Sequence, residues 1–136
     1  MGGIRLSGLL LDTHIWWWYL TGSDRLPLRL RCVIDEAPAD RWLSPVSIWE
    51  TGKLVSRGRL SIPTDFRSWV VTAMGRFPVN DAPFNQEVAL VSDGLKLPHR
   101  DPADHFIAAT AIVYELVLLT VDQRLTKTRA ISTRSK

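Results

Sequence analysis

A single cysteine, Cys32, stands among 136 residues, so no disulfide can close within the chain and a reducing cytoplasm is the expected compartment. Long apolar runs are missing as well. None approaches the roughly 20 residues that a membrane helix needs, so no membrane association is expected. The amino end, MGGIRLSGLLLDTHIW, meets an aspartate directly after three leucines and has no small-residue cleavage site, which argues against a signal peptide. Glycine and proline number only 8 each, too few for a collagen-like or low-complexity chain. There is no internal repeat, P-loop glycine pattern, GxGxxG or Cys/His zinc spacing. What remains, 46% hydrophobic and 23% charged, is ordinary globular usage. The length suits one domain over 1–136, with a core over about 9–125 and a polar, basic tail over 126–136.

Seventeen basic residues against 14 acidic give a net charge of +3, and 13 of the bases are arginine, whose fork matches phosphate oxygens. From Gln123 to Lys136 there are five bases and no acid. Nucleic acid is a candidate partner on this ground, and a solvated polar tail explains the same run equally well.

The local patterns alternate strands with helices. Leu9–Leu11 is a short apolar run suited to a buried strand, and a helix follows from Asp12-Thr13 through Tyr19. Leu28–Ala37 reads as a helix and Arg41–Leu43 as a strand. Ser44-Pro45 supplies an N-cap and a first-turn proline, and the helix after it carries Ile48, Trp49, Leu54 and Val55 on its apolar side. Asp65 opens a helix to about Met74, Arg76–Val79 reads as a strand, and Asn80 or Asp81 opens a helix ending near Gly94. Asp101-Pro102 starts a helix to about Glu115, and Val117–Thr120 is a strand. Strands separated by helices imply parallel pairing: an α/β fold, a three-layer α/β/α sandwich around a short central parallel sheet.

In such a sheet, strand carboxyl ends and the helix amino ends after them share one edge. Asp12 and Asp122 follow two of the strands, and Glu50 and Asp104 fall in the first two turns of two helices. Taken singly each has a simple explanation as a cap or a solvated helix residue. Jointly they predict an anionic pocket that needs a cation between the carboxylates. Oxygen ligands alone suit a hard divalent ion such as magnesium, and the scattered histidines and lone cysteine do not suit zinc. A metal that activates water and neutralises phosphate charge points to phosphodiester hydrolysis. The DxD pair of one class of small-molecule phosphohydrolase is absent, since Asp12-Thr13-His14 stands there.

Four stretches, LLLDTHIW at 9–16, SPVSIWETGKLVSRGRLSIP at 44–63, LPHRDPADHFIAATA at 97–111 and LLTVDQRL at 118–125, together resemble the PIN-domain ribonucleases, specifically VapC-type toxins of toxin–antitoxin pairs. The resemblance covers about Leu9 to Leu125. It implies a magnesium-dependent endoribonuclease, with manganese as the alternative ion, whose catalytic and metal-holding quartet falls on Asp12, Glu50, Asp104 and Asp122. Thr13 and Thr120 stand beside quartet members as supporting residues. Asp101 is a fifth acid: Asp101-Pro102-x-Asp104 admits two assignments, and the DxxIAATA pattern favours Asp104 as ligand and Asp101 as cap. The family further implies a homodimer, an RNA substrate of the transfer- or ribosomal-RNA class, and a small antitoxin whose end segment lies in an apolar groove near the acids. After Leu125 the chain departs from the family pattern: 126–132 is polar and basic, and a final strand is not expected to form well.

Arg57, Arg59, Arg100 and Arg124 are candidate RNA contacts, although Arg57 and Arg59 could equally keep a loop soluble. The consecutive Trp16, Trp17, Trp18 and Tyr19 cover most of a helix circumference, which favours a partner surface over burial. His14 and His99 are expected to be structural, and Cys32 to pack within a helix. The rival functional reading is a PIN-like module that binds RNA or an antitoxin without turnover.

Overall fold

Residues 8–97, 101–126 and 133–134 are described by the structure, a computed structural model of the chain. Five short strands form one parallel sheet: β1 (Leu9–Leu11), β2 (Arg41–Leu43), β3 (Asn80–Asp81), β4 (Val117–Leu119) and β5 (Thr133–Arg134), in the spatial order β3-β2-β1-β4-β5. Leu10 stands opposite Trp42 on one side and Leu118 on the other, and Leu11 opposite Leu119. Successive strand side chains point to opposite faces, so the leucine runs feed two cores. Leu9, Leu11 and Leu119 pack on one face with Ile15, Trp16, Leu30 and Ile34. Leu10 and Leu118 pack on the other with Ile107, Ala108 and Ala111. Burial on both faces is the physical reason these strands are continuous apolar runs. Gly8 allows β1 to start close to β2: a Cβ there would stand 2.6 Å from Trp42 Nε1.

The helices are α1 (Thr13–Thr21), α2 (Leu28–Asp35), α3 (Pro45–Ser56), α4 (Phe66–Arg76), α5 (Gln86–Gly94), α6 (Pro102–Val113) and the short α7 (Gln123–Thr126). The expected caps are in place. Ser44 accepts from Val46 N, Asp65 from Ser68 N and Asp101 from Ala103 N, with Pro45 and Pro102 in the first turns of α3 and α6. Left-handed Gly22 (φ 67°) ends α1, a conformation in which a Cβ is strained.

Several expectations are corrected. The third strand is Asn80–Asp81 rather than 76–79, because α4 runs on through Arg76 and backbone pairing with Trp42 and Leu43 needs no apolar side chain. Asn80 instead locks its edge position by donating to the carbonyls of Ala39 and Arg41. The next helix therefore starts later, at Gln86, capped by Asn85 rather than by Asn80 or Asp81. A fifth strand does form, Thr133 and Arg134 pairing with Leu118 and Leu119 through main-chain groups that polar sequence does not prevent. The α1 aromatics are not a partner surface: Trp16, Trp18 and Tyr19 are buried and Trp17 packs against the same core, because α2 and α4 wrap around the helix. Conversely, Trp49 of α3 lies 61% exposed, and Cys32 of α2 is also exposed rather than packed.

Candidate active site

The register of β1 against β4 brings the first and last acids together. Asp12 caps α1 directly after β1, its Oδ1 accepting from Thr13 N at 2.8 Å. Thr120 directly follows β4 and donates its hydroxyl to Asp12 Oδ2 at 2.6 Å, across 108 residues of sequence. The same hydroxyl accepts from Asp122 N at 3.0 Å, so one fully buried threonine fixes both the Asp12 carboxylate and the backbone that presents Asp122. Asp12 therefore caps α1 and is at once held by Thr120 from the end of β4.

Glu50 arrives from α3. Thr13 donates to Glu50 Oε1 at 2.5 Å, and its oxygen lies 3.0 Å from the hydroxyl of Ser47, buried one turn earlier in α3. Thr13 thus joins the Asp12 and Glu50 helices. Ser47 was not singled out from sequence, and its signal was there: it lies three residues before Glu50, on the same side of the helix. Asp104 lies half-buried in the first turn of α6. Asp101 is exposed and caps that helix. Asp122 accepts from Arg124 at three points, N at 2.9 Å and Nε at 3.2 Å on one oxygen and Nη2 at 3.0 Å on the other.

Electrostatics link the acids into one field. Burial is the main cause that raises the Asp12 carboxyl above its usual range. The Asp122 charge adds to this, while the bonds from Thr120 and Thr13 and the nearby His14 oppose it. Glu50 is raised from its usual 4.5 to about 7, first by burial and then by the charges of Asp12, Asp101 and Asp104, against the pull of the Thr13 bond. The Arg124 guanidinium is pushed up by its bonds to Asp122, by that residue's charge, and by the charges of Asp104 and Asp101. Asp12 thus feels the charge of Asp122, and Glu50 feels those of Asp12, Asp101 and Asp104.

An oxygen-only donor set with an excess of negative charge fits a hard divalent ion that keeps waters of its own. The carboxylates are engaged by Thr13, Thr120 and Arg124, and among the described residues no three His, Cys, Asp or Glu already stand close enough to enclose an ion.

Beside Glu50 opens a cleft of about 550 Å³ between α1, α3 and α6. Its lining includes Thr13, Glu50 and Asp101, the aromatic Trp49, Phe84 and Phe106, and the cations Lys53 of α3 and Arg57 just after it. Asp12, Asp104 and Asp122 are not among its lining residues. Of the candidate arginines, Arg57 lines this cleft, Arg59 is exposed just after α3, and Arg124 is held on Asp122. Arg100 and His99 lie outside the described residues. Sequence reasoning places Trp49 of this cleft on the apolar side of its helix and does not single out Lys53, Phe84 or Phe106.

The family model of the PIN domain matches residues 9–131, and the chain belongs to the PIN-domain family. It is 26% identical over 129 residues to Ribonuclease VapC22 of Mycobacterium tuberculosis, spanning 88% of this chain and 91% of that protein. Among solved structures it resembles VapBC2 from Rickettsia felis bound to a promoter DNA fragment (TM-score 0.67, 14% identity, 93% of this chain and 96% of that one). It also resembles DNA-bound VapBC from Salmonella typhimurium (TM-score 0.66, 18% identity, 95% and 98%). At these identities the structural likeness shows the fold, an α/β sandwich around a parallel sheet, as the sequence pattern implied. Among the described residues no helix is long and apolar enough to cross a membrane.

Proposed function

We propose that this chain is the toxin of a toxin–antitoxin pair, a divalent-metal-dependent endoribonuclease that hydrolyses RNA phosphodiester bonds. The observation that carries the reading is geometric: Thr120, directly after β4, bonds the Asp12 carboxylate and the Asp122 backbone, and Thr13 bonds Glu50 beside them. The ribonuclease name of the curated relative and the toxin–antitoxin character of the structural neighbours support it. These four residues would hold the ion, magnesium in the first instance and manganese as the alternative. When bound, such an ion supplies an activated water and neutralises charge on the phosphate. The chain's own contribution is placement. Thr120 fixes the Asp12 carboxylate, Thr13 orients Glu50, and Asp101 secures the first turn of α6 that carries Asp104. Arg124 keeps positive charge beside Asp122. The substrate is RNA of the transfer- or ribosomal-RNA class. The partners are a small antitoxin and a second copy of the chain, in the cytoplasm.

Purified, antitoxin-free protein should cleave an RNA panel with magnesium, stop on EDTA addition, and leave 5′-phosphate and 3′-hydroxyl ends. Asp12→Asn and Asp104→Asn should each remove the activity. RNA that is bound but never cut would favour the binding-module reading, and 2′,3′-cyclic phosphate ends would contradict attack by water. Co-expression with a short neighbouring reading frame that encodes a DNA-binding amino end should yield a stable complex.

A further inference from the structure

The cleft beside Glu50 differs in character from the acids it adjoins. Trp49 and Phe84 are large apolar side chains left 61% and 41% exposed, and Phe84 meets Phe106 edge-to-face with ring centroids 4.7 Å apart. Lys53 Nζ stands 5.3 Å above the Trp49 ring, and Arg57 lies one turn further along. Aromatic faces interleaved with cations are what single-stranded nucleic acid binds without base-specific hydrogen bonds. The volume of about 550 Å³ falls in the range of small-ligand sites, ample for a base.

From this juxtaposition, and resting on the ribonuclease reading above, we infer that the cleft receives an unpaired nucleobase of the RNA strand next to the scissile phosphate. The base stacks among Trp49, Phe84 and Phe106, and Lys53 and Arg57 meet the adjoining phosphates. The consequence is selection of single-stranded targets, because a base held in a duplex cannot enter the pocket. The lining carries both signs, Lys53 and Arg57 with Glu50 and Asp101, so the two cations are available to phosphates while the aromatic rings take the base.

The test uses the Asp12→Asn protein, which should not cut, with magnesium present and a fluorescein-labelled unstructured RNA read by anisotropy. Trp49→Ala and Phe84→Ala should each weaken binding by about 5- to 100-fold, the usual loss for one stacked base, and Trp49→Phe should restore most of it. An RNA carrying one abasic nucleotide, moved along the strand, should lose affinity for the parent at one position and make no difference to Trp49→Ala. Parent-like binding by both alanine variants would overturn the inference. So would equal weakening toward a hairpin duplex. A loss that tracks a fall in light-scattering mass would assign the cleft to a second copy, and competition by an apolar peptide that leaves RNA affinity unchanged in the variants would assign it to the antitoxin. If the wild-type chain cleaves RNA while these variants bind normally, only the pocket assignment fails. If it neither binds nor cleaves RNA, the ribonuclease reading fails with it.

Discussion

Helices α1 and α3 follow neighbouring parallel strands, each carries tryptophan and each delivers a carboxylate to the same edge, yet their aromatic residues meet opposite fates. In α1, Trp16 and Trp18 are buried to 1% and 9% exposure, Trp16 edge-to-face with Trp69 of α4 and Tyr19 with the α4 C-cap Phe77. In α3 the buried side is Ser47 and Thr51, two small hydroxyl residues, and Trp49 faces outward. Four adjacent aromatic residues thus made a core, and one isolated tryptophan made a surface. The number of aromatics in a segment decides less than the elements that wrap it. Among the described residues the indole N–H groups of Trp16, Trp17 and Trp18 are buried with no protein acceptor.

The largest effect should come where the two helices agree. Asp12→Asn and Glu50→Gln should each lower RNA cleavage by about 10³-fold or more, measured with a quenched fluorescent substrate. Asparagine still caps α1, so the Asp12→Asn melting temperature should not fall. The contrast itself is sharpest in stability. Trp16→Ala should cost about 3–5 kcal/mol in urea unfolding, and Trp49→Ala should stay within about 0.5 kcal/mol. Equal costs would mean that α3 is as enclosed as α1. Thr120→Val should keep the fold and lower activity by about 10–100-fold, the usual loss when a group that orients a metal-holding carboxylate is removed. Its signature is weaker magnesium binding in calorimetry.

The smallest effect is in pH and is shared by the two helices, since burial raises the carboxyls of both Asp12 and Glu50. In metal-free protein the Glu50 carboxyl is raised from 4.5 to about 7, so its protonated form is the one that the fold favours. Its contribution is complete below about pH 4.5 and is lost as pH rises through about 7. Stability measured in EDTA should decline over that window, and Glu50→Gln should lessen the decline while Asp12 keeps its share. A slope unchanged by the substitution would place Glu50 in solvent.

Much of this was readable from local chemistry. Ser44-Pro45 and Asp101-Pro102 set helix starts through contacts within three residues, and LLLD and VLLTVD marked strand ends because apolar runs buried on both faces leave little ambiguity. Asp12 and Asp122 could be placed at the ends of neighbouring strands because parallel winding alone decides that. What could not be read depended on distant neighbours. The α1 aromatics are hidden by Leu30, Ile34 and Trp69, residues that a helical wheel does not contain. Strands β3 and β5 are two residues each, polar, and held by backbone pairing, so side-chain periodicity carries no trace of them. Ser47 and the Phe84–Phe106 pair gain meaning only from the approach of α3 to α1 and of the 82–85 segment to α6.

The strand order β3-β2-β1-β4-β5 means that the chain departs from β1 toward one side of the sheet and later returns to its other flank. Loops diverging from that central strand leave a crevice whatever side chains they carry. A relative that had exchanged its aspartates for amides would keep the furrow and lose the scissors. Such a chain could clasp a strand without harming it, so the crevice and the acids are separable features of one fold.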